Sequence, residues 1–334
     1  MNLANINETN YLAITAMLAA RTSGMLSAER LERMIAAPTD DEAVKVLEEC
    51  GYGDLTDLSA DARSDALENR LVEIFDEVER IVPEPELVQM FRLKYDFHNI
   101  KTVVKSHGAG VVGGEILSKR GSIPAEKLEE AFVSDDYIEI PSSLAEPMQE
   151  AASILARTSN PQLADFALDR AYFAALTKLV EDLSDEGFAK SYVKLMIDSA
   201  NLRSAVRTRR MGKDNDFLSL ALVPGGEIGV PSVMTVDSGE ALAELYRPTR
   251  LTAAAEAGSA AMNGGSLTVF ERTCDNALMD YVREAKIMRF GAAHVVSYLA
   301  AMENEVTAAR MILSGRMAGL KADTIRERMR EAYA

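Results

Sequence analysis

One pattern recurs three times at intervals of about one hundred residues, and any fold for this chain has to accommodate it. The clearest copy is YVKLMIDSANLRSAVRTRRMG, Tyr192 to Gly212. An earlier copy, FRLKYDFHNIKTVVKSHG from Phe91 to Gly108, matches it through Asp96, Asn99, Ile100, Lys101 and Lys105 against Asp198, Asn201, Leu202, Arg203 and Arg207. A third, YLAAMENEVTAARMILSG from Tyr298 to Gly315, is degenerate. In it Glu305 and Val306 take the Asn-aliphatic place, Arg310 falls one position off the basic column, and the acidic residue is Glu303. Asn99 to Asn201 spans 102 residues and Asn201 to Glu305 spans 104, while Gly108, Gly212 and Gly315 stand 104 and 103 apart. That period is far longer than the roughly 20–50 residues of solenoid repeats, so each copy is large enough to be a small subdomain.

Each motif follows an amphipathic helix pattern. Leu67, Leu71, Ile74, Phe75, Val78, Ile81 and Val82 form one helical stripe. Leu168, Tyr172, Phe173, Leu176, Leu179, Val180 and Leu183 form the second, and Leu278, Tyr281, Val282, Ala285 and Met288 the third. Earlier in each repeat, Leu26-Ser27-Ala28-Glu29-Arg30-Leu31 predicts a short helix capped by Ser27, and Ile123-Pro124-Ala125-Glu126-Lys127-Leu128 predicts its counterpart. The third counterpart, Leu222 to Asp237, reads as a loop. Linkers are expected near Gly108–Gly121 and Gly212–Asp237, where Gly and Pro interrupt the periodicity. Short strand candidates such as Tyr137–Ile140 are not sustained by alternation, and the abundance of Ala, Leu, Glu, Arg and Met favours helix. The expected fold is all-α, with three similar helical subdomains at 1–110, 111–213 and 214–334.

The motifs of chemistry do not assemble. Gly108-Ala109-Gly110-Val111-Val112-Gly113 spells GxGxxG, but a helix leads into it, whereas dinucleotide binding needs a strand. No GxxxxGK[ST] occurs. His98, His107 and His294 form no HxxxH or HExxH pair, and Cys50 and Cys274 stand apart, so no metal site or nucleophile–base pair is legible. No catalytic, cofactor-binding or metal-binding residue is therefore assigned. A net charge of −16 argues against nucleic-acid binding, and no apolar run is long enough to span a membrane. No basic residue precedes Arg21, so no secretory signal is expected and the chain should stay inside the cell.

Within this acidic chain, Tyr192 to Arg210 carries five basic residues against Asp198. Lys101 and Lys105, like Arg203 and Arg207, are spaced i,i+4 and share a helix face. Basic groups near a helix C-terminus offset its dipole. That role rarely requires four arginines, so Arg203, Arg207, Arg209 and Arg210 are the candidates for a surface facing an acidic partner. Asp198 and Asn201 are expected to hydrogen-bond within a subdomain.

In these motifs the chain resembles the C subunit of the A/V-type rotary ATPases of archaea and bacteria, the counterpart of the d subunit of the eukaryotic V-ATPase. The carrying stretches are Asp96–Ser106, Ile197–Arg210, Arg289–Gly291 continuing through Tyr298–Val306 and Arg310–Gly315, and the closing RERMREAYA. The resemblance implies a funnel of three subdomains about a pseudo-threefold axis. It also implies a non-catalytic central-stalk socket without cofactors, peripheral on the inner face of the membrane. Such a socket joins the central shaft subunits of the soluble ATPase head to the membrane rotor ring of proteolipid subunits and transmits torque. A generic all-helical scaffold unrelated to ion transport is the alternative that composition and repeats alone leave open.

Overall fold

A computed structural model describes residues 8–110, 117–184 and 187–334. Among these residues every regular element is helical. A 3₁₀ turn, Glu8–Tyr11, leads into α1 (Leu12–Thr22), followed by α2 (Ala28–Ala36), α3 (Asp40–Glu49) and α4 (Ala60–Ile81). The first motif lies on α5 (Glu86–Ala109), and α6 (Ala125–Ser134), α7 (Ser142–Thr158) and α8 (Pro161–Glu181) come after it. The second lies on α9 (Phe188–Arg210), before the shorter α10 (Asn215–Ala221), α11 (Val230–Met234), α12 (Gly239–Tyr246), α13 (Thr252–Met262) and α14 (Leu267–Arg283). The third occupies α15 (Ala292–Met317), ahead of α16 (Ala322–Arg328).

Local sequence explains the helix starts. Ser27, Ser59, Asn160, Ser238 and Ser266 each accept a backbone N–H from the first turn of the helix that follows. The amphipathic stripes bury as their spacing requires: Leu67, Leu71, Ile74, Phe75 and Val78 on α4, and Leu168, Tyr172, Phe173, Leu176 and Val180 on α8. Ile81 and Met288, at the ends of two stripes, are exposed. The segment 222–237, expected as loop, contains α11; Pro231 in its first turn supplies a helix-compatible φ, and a five-residue helix is too short to show periodicity. The Gly-rich run beginning at Gly108 starts inside α5, which stops at left-handed Gly110 (φ 69°). Val111, Val112 and Gly113 lie outside the described residues.

The three motif helices carry little amphipathic pattern because they are enclosed on most sides. Fully buried positions on α15 run from Val295 and Val296 through Leu299 and Ala301 to Ala309 and Ile312. This helix touches both α5 and α9. Each motif helix also packs with its own set of neighbours: α5 with α6, α7 and α8, α9 with α10, α13 and α14, and α15 with α2, α3 and α4.

Candidate functional site: the motif helices and their basic face

The acidic residue of the motif holds a loop. The Ser122 and Ile123 N–H groups donate to Asp96 Oδ1 at 2.8 and 3.1 Å, and the Ser122 hydroxyl donates to Oδ2 at 2.7 Å. In the second copy the Glu227 and Ile228 N–H groups donate to Asp198 at 3.0 and 3.1 Å. Both loops approach closely at a glycine: a Cβ at Gly121 would lie 2.4 Å from Asp96 Oδ1, and one at Gly226 2.0 Å from Asp198 Oδ1. Ile123 and Ile228 immediately precede the N-caps of α6 and α11.

In the third copy this task falls to Glu305. Its Oε2 accepts the Leu26 N–H at 2.6 Å, and Leu26 immediately precedes Ser27, the N-cap of α2. Its Oε1 accepts the Tyr52 hydroxyl at 2.7 Å. The acidic column is therefore Asp96, Asp198 and Glu305. Glu305, which the sequence spacing sets against Asn99 and Asn201, thus takes the place of the aspartates. In this register Arg310 stands five residues after the acid, as do Lys101 and Arg203. The repeated element missed in the sequence is Gly-x-aliphatic ahead of a short helix: Gly24-Met25-Leu26, Gly121-Ser122-Ile123 and Gly226-Glu227-Ile228.

Burial governs these carboxyls. It pushes Asp198 up to about 6, against the hydrogen bonds from Ile228 and Glu227, and it also raises Asp96 and Glu305 above the usual carboxylate range. The asparagines serve as two-pronged clips. Asn99 Nδ2 donates to the Ser118 carbonyl and its Oδ1 accepts the Ser118 N–H, both at 2.8 Å. Asn201 treats Val223 identically, again at 2.8 Å on both sides. An amide side chain matches a backbone N–H and C=O together while staying neutral at every pH.

The basic column forms ion pairs between helices. Lys101 reaches Asp169 at 2.5 Å and Lys105 reaches Asp165 at 3.1 Å, so α5 and α8 are bridged in antiparallel register. On α9 and α14, Arg203 donates to Glu271 at 2.8 Å and to Asp275 at 2.6 Å, and Arg207 binds Glu271 at 2.7 Å. In the third copy Arg310 faces Glu68 of α4 at 4.0 Å. Glu68 is otherwise engaged: it accepts from the Ser118 hydroxyl at 2.7 Å and the Lys119 N–H at 2.9 Å, with Arg120 at 3.5 Å. Arg310 Nε and Nη2 are buried with no hydrogen-bond partner among the described residues.

The other two arginines also have partners within the chain. Arg209 donates to Asn215 Oδ1 at 2.6 Å and to the Val236 carbonyl at 2.7 Å. Arg210 donates to the Ala261 and Gly265 carbonyls at 3.0 and 2.7 Å, closing the end of α13. Arg203 and Arg209 are half-buried, whereas Arg207 and Arg210 are exposed. Among the four, only Arg203 and Arg207 share a partner, Glu271.

The histidines lie apart: His107 beside Glu129 and Phe132, and His294 with Nε2 3.1 Å from the Met288 carbonyl. Burial raises the Cys274 thiol to about 12. Among the described residues no group of His, Cys, Asp or Glu is placed to hold a metal, and no helix is long and apolar enough to cross a membrane. The arrangement uses its polar groups to fix helices and loops to one another.

Comparison with known proteins identifies the family. The family described as ATP synthase (C/AC39) subunit matches residues 14–328. The chain belongs to this family. It is 22% identical to the C subunit of the V-type sodium ATPase of Enterococcus hirae, over 97% of this chain and 99% of that protein. It is 24% identical to the C subunit of the A-type ATP synthase of Methanocaldococcus jannaschii, over 96% of this chain and 86% of that protein. With the corresponding A-type ATP synthase protein of Haloquadratum walsbyi it shares 26% identity over 97% of this chain and 99% of that protein. This is a family of structural, non-catalytic subunits of A/V-type rotary ATPases.

Proposed function

We propose that this chain is the central-stalk socket of its rotary ATPase. It would seat the central shaft subunits of the ATPase head, rest on the proteolipid rotor ring at the inner face of the membrane, and pass torque between them to couple ATP to proton or sodium transport. The observation that carries this reading is the family match from residue 14 to 328, which leaves little of the chain outside a shared architecture. A funnel of three subdomains about a pseudo-threefold axis is part of the proposal, and the three equivalent contacts by which Asp96, Asp198 and Glu305 hold the residue ahead of a short helix support it.

The physical demand on such a joint is considerable. Moving one charge through 100 mV is worth about 2.3 kcal/mol, so several ions per ATP load the joint on the scale of a domain's roughly 5–15 kcal/mol stability. Exposed salt bridges at about 0–1 kcal/mol each do not bear that, so the contact surface has to be broad and partly apolar. Charge then sets orientation. For this role we retain the face carrying Arg203, Arg207, Arg209 and Arg210, where Arg207 and Arg210 present exposed guanidinium groups and Arg203 and Arg209 hold the supporting helices.

Tagged protein recovered from native membranes is expected to bring down the rotor ring and shaft subunits, and depleting it is expected to uncouple ATP hydrolysis from ion pumping. Coupling that survives depletion would overturn the reading. Arg207→Glu combined with Arg210→Glu is expected to impair this assembly with helicity intact; unchanged assembly would remove the arginine face from the proposal.

A further inference from the structure

We propose that the packing units are cyclically shifted against the sequence repeats, and that α15 is a clasp, the seam along which the molecule opens. For the first two motif helices the clipped loops are close in sequence. Asp96 holds residues 122 and 123, and Asp198 holds 227 and 228. Glu305 instead reaches back 279 residues to Leu26 and 253 residues to Tyr52. The same pairing continues along the helix. Arg316 donates to Asp40 at 2.9 Å and to the Met34 and Ile35 carbonyls at 3.3 and 3.1 Å, capping the end of α2. Arg326 of α16 adds a contact to Glu32 at 3.1 Å. Helices α2 and α3 thus take their motif helix from far along the chain, and α4 packs on that same α15 as well as on the α5 that follows it.

Of the three equivalent units this one is held least firmly by its acid–base pair. Lys101–Asp169 and Arg203–Asp275 close at 2.5 and 2.6 Å, whereas Arg310–Glu68 stands at 4.0 Å, and the buried Arg310 Nε and Nη2 have no hydrogen-bond partner among the described residues. Glu68 is drawn away by Ser118, Lys119 and Arg120 of the next unit. A donor left without its acceptor weakens the contact it was built for. Opening at this seam needs no break within the other two units, whose motif helices and clipped loops are contiguous in sequence.

The test is hydrogen exchange on the intact isolated chain, which is independent of any role in the ATPase. Glu305→Ala is expected to speed amide exchange in residues 26–47 and 305–317 at least tenfold while leaving α7–α8 and α12–α13 unchanged. Asp198→Ala, the matched control, is expected to act on 227–246 instead. Tyr52→Phe removes one hydrogen bond from the same carboxylate and is expected to accelerate residues 26–47 about fivefold, the factor one net hydrogen bond is worth, which keeps the test available if Glu305→Ala fails to fold. Uniform acceleration across all three units, or unchanged exchange in 26–47, would overturn the clasp.

Discussion

Replacing Asn201 by alanine isolates what one motif residue contributes. Asn201 is completely buried and makes two hydrogen bonds of 2.8 Å to one backbone residue, giving to the Val223 carbonyl and accepting its N–H. Alanine removes both partners and leaves the Val223 N–H and C=O enclosed. A net hydrogen bond contributes about 0.5–1.5 kcal/mol, and an orphaned buried group costs about 1–3 kcal/mol. The expected loss is therefore about 2–4 kcal/mol for the pair. For a chain of this length that lowers the thermal midpoint by roughly 3–6 °C. Urea unfolding followed by circular dichroism should show a lower midpoint with an unchanged slope. Asn201→Asp sharpens the argument. Its carboxylate accepts the N–H but cannot donate to the carbonyl, and burial raises its folded pKa above the ordinary value of about 3.9. A raised folded pKa means that stability is present at low pH and lost as pH rises through that pKa. Protonated, the carboxyl restores the missing donor, so this variant should recover toward wild type on acidification while Asn201→Ala does not. A loss below about 1 kcal/mol for alanine, or no acid recovery for aspartate, would refute the clip.

Gly226→Ala places a Cβ 2.0 Å from Asp198 Oδ1 and should destabilise by at least about 2 kcal/mol in the same urea assay, the scale of an overpacked core site. Asp198, pushed up to about 6, binds its proton more tightly folded than unfolded, so the stability it contributes is present below pH 4 and lost as pH rises through 6; Asp198→Asn should remove that component of the stability–pH curve. Arg203→Ala should cost about 1–3 kcal/mol, moderated because Arg207 and Arg330 still hold Glu271 and Asp275, whereas Arg207→Ala should cost under about 1 kcal/mol. Native-state alkylation should label partly exposed Cys50 well before buried Cys274, whose thiol is pushed up to about 12.

Helical class and period were legible because they depend on local spacing. The stripe from Leu67 to Val78 and the repeated Asp-x-x-Asn carry their meaning within a few turns. Partners distant in sequence were not legible. Glu305 looked like a displaced asparagine because its partner, Leu26, lies 279 residues earlier, and only that contact restores Arg310 to its column. The partners of Arg203 and Arg207 within the chain were not legible because Glu271 and Asp275 stand about 70 residues away on α14, beyond any i,i+4 rule. α11 escaped because the glycines and Pro231 around it read as loop, and the acid that holds the residues ahead of it, Asp198, is on another helix.

The contact between Glu305 and Leu26 also sets a timetable for synthesis. Helices α2–α4 leave the ribosome about 210 residues before Ala292, where α15 begins. At about 5–20 residues per second they wait roughly 10–40 s for the helix that completes their packing. Over that interval the faces of Leu31, Met34, Val44 and Leu47 lack their final cover, while α5–α8 and α9–α14 already have their motif helices. The earliest part of the chain to be made is therefore the last to finish folding, and it is the part on which a nascent-chain chaperone has longest to act.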